Sequence, residues 1–284
     1  MGVGEKYVRS VCVSMSAQGY LHKMLVYDAH PIQYELIFDN QKINVNLFLN
    51  KKITLEFLNE IHCIQCDRKI TKSFQQGYCF PCMQKINECN NCMIFPERCL
   101  VETGCPQNDW AHQQCHQEHI VYLANTSGLK VGITRMKNIP SRWMDQGAAQ
   151  ALPIFKTSNR YQAGLIEVAL KNFVTDKTNW RVMLMNQVAP LDLLSEKKLL
   201  LSQAEKTLAP LLKKYPDQII LLDDKNSVTL DYPVMEYPKK ITALSFDKTP
   251  KIEGILLGIK GQYLLLDIGV LNIRKFGGYS VCFL

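Results

Sequence analysis

Nine of the eleven cysteines lie between Cys63 and Cys115, and four of them are spaced for a metal. Cys63-x2-Cys66 is followed, after twelve residues, by Cys79-x2-Cys82. Each C-x-x-C turn places two thiolates on one side of a tight loop, and two such loops complete a tetrahedral zinc site. Gly77 fits the turn needed before the second pair, and the intervening DRKITKSFQQGY has the length of a short hairpin. All four ligands would come from the protein, so this zinc is structural and leaves no position open for catalysis. Cys89, Cys92, Cys99, Cys105 and Cys115 remain. Of these, Cys92, Cys99, Cys105 and Cys115 form the preferred set for a second zinc, with His112, His116 and His119 as further candidates. The alternative is a single zinc, with the other thiols packed as small apolar groups.

The N-terminus, MGVGEKYVRS, has no apolar block of the signal-peptide kind, which favours metal binding over disulfides for the cysteine cluster. No apolar run reaches the roughly 18–20 residues of a membrane helix. The expectation is a cytoplasmic protein without a membrane partner. Hydrophobic residues make up 47% of the 284 and charged residues 21%, which argues against disorder. The formal charge is +7, and the segment from His119 to Pro190 carries nine Lys and Arg against three Asp and Glu. A basic segment beside a zinc-type cluster suggests a polyanionic partner, DNA or RNA. A solvated positive face with no partner is the plainer explanation of the charge alone.

Two apolar runs in this basic segment, in HIVYLANTSGLKVGIT (119–134), flank a turn. IVY ends at Tyr122, and KVGIT runs from Lys130 to Thr134. Arg142 then opens a short helix, Glu167 lies inside the following helix AGLIEVALKNF, and Asn179 follows twelve residues later in KTNWR. In this order the residues resemble the core of the GIY-YIG nuclease superfamily over roughly residues 119–185. The whole arrangement also resembles an uncharacterised bacterial protein family, through the cysteine segment, VYLANTSGLKVGITR, SRWMDQGA and GIKGQYL.

The nuclease resemblance implies cleavage of phosphodiester bonds. Tyr122 would take the proton from the attacking water, with a pKa lowered by neighbouring Arg, Lys and metal. Arg142 would present its planar fork to phosphate. Glu167 would hold one Mg²⁺ or Mn²⁺ beside the leaving oxygen, and Asn179 stands where the family often has a polar Asn. Arg135, Lys137 and Arg160 would extend a phosphate-binding surface. Lys130 occupies the position of the second motif tyrosine. It either supports the site, by lowering the pKa of Tyr122 or neutralising phosphate, or marks a site that only binds.

Each of these residues also has an ordinary structural role open to it. Tyr122 suits a strand core, Arg142 a cap or ion pair, and Glu167 an exposed pair with Lys171 one turn on. Against that last role, the Glu167 helix is apolar on nearly every side, so its carboxylate should be partly buried and need a partner or a metal. Trp143 and Trp180 suit packing. In the tail, Lys260, Tyr263, Arg274, Lys275 and Tyr279 interleave charge with aromatics as single-strand binders do, or simply belong to a closing β domain. Three functions follow: a metal-dependent endonuclease, a nucleic-acid-binding protein without turnover, and a zinc-stabilised protein-interaction scaffold.

These residues must be positioned by an α+β fold. Residues 1–60 read as an N-terminal β region through VRSVCVSM, QYELIF, INVNLFL and ITLEFL. Residues 61–118 form the cysteine-rich segment, too polar to build a core alone. Residues 119–190 form the GIY-YIG-like α/β core, with strands HIVYLAN, LKVGIT and ALPIFKTS, a short helix from Pro140 and a second from Arg160 to Val174. Residues 191–284 hold a helix and a C-terminal β domain. Ser195 is expected to cap that helix, Pro210 to kink or divide it, and Pro216 to end it. The glycine-punctuated tail suggests a small sheet or barrel that the N-terminal strands can join.

Overall fold

Alternation in the N-terminal runs and unbroken apolar runs in the middle call for two kinds of sheet, one half-exposed and one covered on both faces. A computed structural model of the protein describes residues 16–39, 41–86, 90–105, 108–174, 178–223 and 226–284. The N-terminal part supplies β1 (Ala17–Tyr20), β2 (Leu25–Tyr27), β3 (Gln33–Phe38), β4 (Gln41–Asn44) and the long β5 (Lys52–His62). The cysteine-rich segment follows with β6 (Lys69–Ile70), α1 (Phe80–Lys85), α2 (Asn91–Ile94) and α3 (Asn108–Gln114). Next come β7 (His119–Asn125), β8 (Leu129–Arg135), α4 (Ser141–Asp145), β9 (Gln150–Thr157), α5 (Arg160–Lys171) and α6 (Trp180–Leu184). The chain continues through α7 (Leu193–Gln203), α8 (Glu205–Lys214), β10 (Ile219–Leu221) and β11 (Val228–Thr229). It ends in β12 (Lys251–Lys260), β13 (Tyr263–Leu266), β14 (Gly269–Asn272) and β15 (Tyr279–Phe283).

The central sheet has the order β10-β9-β7-β8, with β11 also on β9. Its pairings are all antiparallel, which makes the class α+β. β7 pairs on both sides and is buried at every residue, so its sequence is a continuous apolar run rather than an alternation. One face, with Val121 and Leu123, packs on Ile166 and Leu170 of α5 and on Leu193, Leu200 and Leu208 of α7 and α8. The other, with Ile120, Tyr122 and Ala124, joins a core shared with the strands from both chain ends. α4 lies at that face, where Trp143 and Met144 are buried.

The two ends of the chain share one sheet, ordered β1-β15-β5-β12-β13-β14, with β6 on β5. Ala17 pairs with Phe283 and Ile53 with Gly254, as expected of N-terminal strands that join the tail. A separate small sheet is β2-β3-β4.

Several local expectations are corrected. INVNLFL does not continue as a strand. Asn44 ends β4, and its side chain accepts from Asn46 N to start a 3-10 turn at Val45–Phe48. The helix after residue 190 is capped by Asp192 rather than Ser195, through bonds to the N–H groups of Leu194 and Ser195. It divides at Ala204, and Pro210 is accommodated inside α8. VRSVCVSM lies outside the described residues. Among the described residues no helix is long and apolar enough to cross a membrane.

Candidate functional site

The four spaced cysteines meet. Cys63 and Cys66 lie in the connection between β5 and β6, while Cys79 caps α1 and Cys82 lies in its first turn. Their four sulfurs are within 4.8 Å of one another. Backbone N–H groups are aimed at them: Cys79 N donates to Cys63 Sγ at 3.2 Å and Cys82 N to Cys79 Sγ at 3.4 Å. Burial opposes ionisation of Cys63, but N–H donors from Cys79, Cys66 and Gln65 outweigh it and bring that thiol down to about 6. Cys82, sharing a hydrogen bond with Cys79, is pushed up to about 12. Thiols this close cannot all ionise unless a cation balances them, and the cluster is compatible with a structural zinc. Gly77 has φ +142, and a Cβ there would meet Ile64 Cδ1 at 2.7 Å, so the second knuckle requires glycine.

The second cysteine set is looser. Cys99 and Cys115 are buried with Val101 and Ala111, and Cys92 and Cys105 pack against them together with Trp110 and Tyr161. Cys115 hydrogen-bonds Cys99 and holds that thiol down at about 6, while Cys115 itself is pushed up. Among the described residues only the first set has all its sulfurs within 4.8 Å of one another. Cys89 lies outside the described residues. His112 and His116 stack on each other at 4.6 Å.

The residues singled out in the basic segment also meet, in a cavity of about 700 Å³ along the outermost strand of the central sheet. Six consecutive residues, Lys130 to Arg135, line it from β8; Tyr122 comes from β7, Arg142 from α4, and Arg160 and Glu167 from α5. Seven Lys and Arg line it against two acids, Asp145 and Glu167. Lys23 from the N-terminal part pairs with Asp145, which also accepts from Gln262 Nε2 at 2.9 Å. That leaves Glu167, 8% exposed and 3.6 Å from Lys171 Nζ, as the other carboxylate of the wall.

Tyr122 is fully buried, yet its hydroxyl reaches the polar wall. With the Gln146 amide oriented to satisfy both ends, Nε2 donates to Tyr122 Oη at 2.9 Å. Gln146 Oε1 then accepts from Arg142 Nη2 at 3.1 Å and Nε at 3.3 Å. The expectation of a lowered tyrosine pKa is corrected. Burial raises it, and although Arg142 pulls it down, Glu167 opposes ionisation and the net shift is upward. Tyr122 lies across Gly132, its β8 partner, where a Cβ would come within 2.7 Å of Oη.

The guanidinium groups fall into two pairs. Arg135 is lowered by burial and by Arg160, and Arg274, from the turn at Ile273–Phe276, by burial and by Arg142. Arg135 Nη1 donates to Gln114 Oε1, and Arg160 Nη2 to Met93 O at 2.9 Å, while Arg160 Nε is buried without a partner. Paired, partly buried cations of this kind are stabilised by an anion between them. His119 sits with the first pair. Its Nδ1 donates to Gln117 O at 2.6 Å, and burial lowers its pKa to about 4, so the imidazole is neutral. Lys130 Nζ is 3.4 Å from Thr178 Oγ1.

Two candidates stand outside the cavity wall. Asn179 caps α6, accepting from Arg181 N and Val182 N, and Lys137 is exposed on the turn after β8. Trp143 packs edge-on against Tyr122 at 5.9 Å, and Trp180 stacks on Tyr263 at 5.8 Å. The basic and aromatic residues of the tail do not share one surface. Arg274 lines this cavity, Lys260 a second one, and Tyr279 is buried with its hydroxyl on Asp247 at 2.8 Å. Sequence reasoning missed Gln146, Asp145 and Lys23. Gln146 could have been found from its place one helical turn after Arg142, whereas Lys23 and Asp145 come together only through the fold.

Every residue named in the cavity wall except Lys23 falls within one family match. The chain belongs to the DUF2797 family. That family, described as "Protein of unknown function (DUF2797)", matches residues 50–281, from just before β5 into β15. No solved structure is significantly similar to the chain.

Proposed function

We propose that the protein is a divalent-metal-dependent endonuclease of GIY-YIG type that cleaves phosphodiester bonds in DNA or RNA. The observation that carries this reading is the convergence of Tyr122, Lys130, Arg142 and Glu167 from four elements onto one strongly cationic cavity. A phosphodiester backbone supplies repeated single negative charges, which suits two separate arginine pairs. Arg142 and Arg274 clamp the scissile phosphate, and Arg135 and Arg160 hold its neighbour. Gln146 ties Arg142 to Tyr122, so the group that binds phosphate also sets the position of the phenol oxygen, which takes the water's proton once it is ionised. Lys130 compensates the charge developing on phosphorus.

Glu167 would hold Mg²⁺ or Mn²⁺. It is a hard oxygen donor on the cavity wall, on the same helix as Arg160 and 3.6 Å from Lys171 Nζ, which the ion would displace. One carboxylate with water and phosphate oxygens is an ordinary Mg²⁺ site. When bound, the ion supplies Lewis acidity at the leaving oxygen. The four-cysteine centre would hold structural zinc.

A second reading, binding without cleavage, is favoured by the raised pKa of Tyr122 and by the Lys171 ammonium beside Glu167. Labelled duplex, branched and single-stranded DNA and RNA, incubated with Mg²⁺ or Mn²⁺, separate the two. Metal-dependent cutting that disappears in Glu167→Ala supports the nuclease. No cutting by either protein, with salt-sensitive binding retained, makes the chain a binding module. Cutting retained by the variant would sink the assignment of Glu167.

A further inference from the structure

Lys260 ends β12 and is only 1% exposed, yet it lines a second cavity of about 340 Å³. The first cavity touches Asp145 and Gln146, this one Ala149 and Gln150, so both border the connection between α4 and β9. The ammonium donates to Asn186 Oδ1 at 3.0 Å and lies 5.2 Å from the ring centroids of Tyr232 and Tyr237. Asp231 also lines the cavity, but among the described residues no carboxylate comes within ion-pair distance of the Lys260 ammonium, whose charge is held by the amide and rings alone. A buried cation held only by an amide and two ring faces is under-compensated. Burial accordingly lowers its pKa to about 8.

The same wall holds an acceptor without a donor. Asn125, 1% exposed, gives its Nδ2 hydrogens to Gln150 Oε1 at 3.2 Å and Ala189 O at 2.9 Å. Those two bonds fix the amide, and its Oδ1 is left buried with no partner. An uncompensated cation and an unpaired acceptor beside tyrosine rings define a complementary ligand. It carries one anionic group for Lys260, an O–H or N–H for Asn125, and a short carbon skeleton.

We propose that this cavity binds a small organic acid, a carboxylate or phosphomonoester bearing a hydroxyl or amine, with Lys260 as its anchor. The site is independent of the nuclease reading and uses none of its residues.

Brief reductive methylation of the intact protein with formaldehyde and cyanoborohydride, read by peptide mass spectrometry, tests it with reagents small enough to enter. Lactate and glycerol 3-phosphate serve as the two probes, with chloride at matched ionic strength as the blank. At a probe concentration about ten times Kd the free site falls about tenfold. Lys260 labelling should therefore fall about tenfold, while the exposed Lys239 and Lys240 are unchanged. Protection by lactate alone identifies a carboxylate ligand, and protection by glycerol 3-phosphate alone a phosphomonoester. The protecting probe should also raise Tm of the wild type and leave that of Lys260→Met unmoved. Equal labelling of Lys260 with either probe and with chloride would overturn the proposal.

Discussion

Tyr122 lies edge-on to Trp143 and across Gly132, so the hydroxyl we assign to proton transfer is held by packing before any substrate arrives. A methyl group at Gly132 would press on that hydroxyl from 2.7 Å. Gly132→Ala should cost about 1–3 kcal/mol, as overpacking does, and lower Tm while moving the ring away from Gln146. Burial keeps Tyr122 neutral at pH 7, and only its ionised form can accept a proton directly. If it is the base, cleavage should speed up about tenfold per pH unit from neutrality to beyond pH 9. Tyr122→Phe should abolish that rise, and a flat profile in the wild type would remove the role. His119 gives a stability test of opposite chemistry. Its folded pKa of about 4 lies below the unfolded value of roughly 6.5, so between them the unfolded chain binds the extra proton. Stability should thus be full above pH 6.5 and fall by about 2–3 kcal/mol as pH drops towards 4.5. Urea titrations should show a shallower acid limb in His119→Gln.

At the level of elements, the four-cysteine knuckles bring together sulfurs spaced for a metal, and if zinc holds them its loss should act locally. Cys66→Ser should lower bound zinc by about one ion per chain and remove amide-exchange protection from residues 63–82. β7 and β9, which are covered by both hydrophobic cores, should keep theirs. A variant that loses protection in β7 as well would mean that the knuckles and the central sheet fold as one unit. The same contrast explains what the sequence disclosed. C-x-x-C spacing and the β7 and β8 runs are short-range signals, and they located the four-cysteine cluster and the central hairpin. Glu167 was legible because a carboxylate on an otherwise apolar helix must face something polar. The break at Ala204 was not legible: it falls six residues before Pro210, which α8 accommodates, between Leu200 and Leu208, both buried in the core beside the sheet. Arg274 meets Arg142 only after folding, and Gln146, although one turn from Arg142, meets Tyr122 only then. The need for glycine at 132 shows only in the register, which sets it opposite Tyr122.

Across the whole molecule, the large cavity is assembled from four regions of the sequence. Lys23 comes from the N-terminal part, Met93 and Gln114 from the cysteine-rich segment, Arg135, Arg142 and Arg160 from the central region, and Arg274 from the tail. The pairing of β15 with β5 and β1 brings the two ends of the chain together in one sheet. A ligand filling this cavity touches all four regions, so its binding should report their joint charge. If the two arginine pairs contact phosphates, about four counterions are released. The logarithm of the association constant should then fall with the logarithm of salt at a slope of roughly −3 to −4. Fluorescence anisotropy with Glu167→Ala, which keeps the arginines and removes cleavage, measures this without loss of substrate. Arg274→Ala should reduce the slope by about one and weaken all sequences alike, because phosphate contacts carry no sequence information. An unchanged slope would place Arg274 in the packing of the tail and leave Arg142 to hold the phosphate alone.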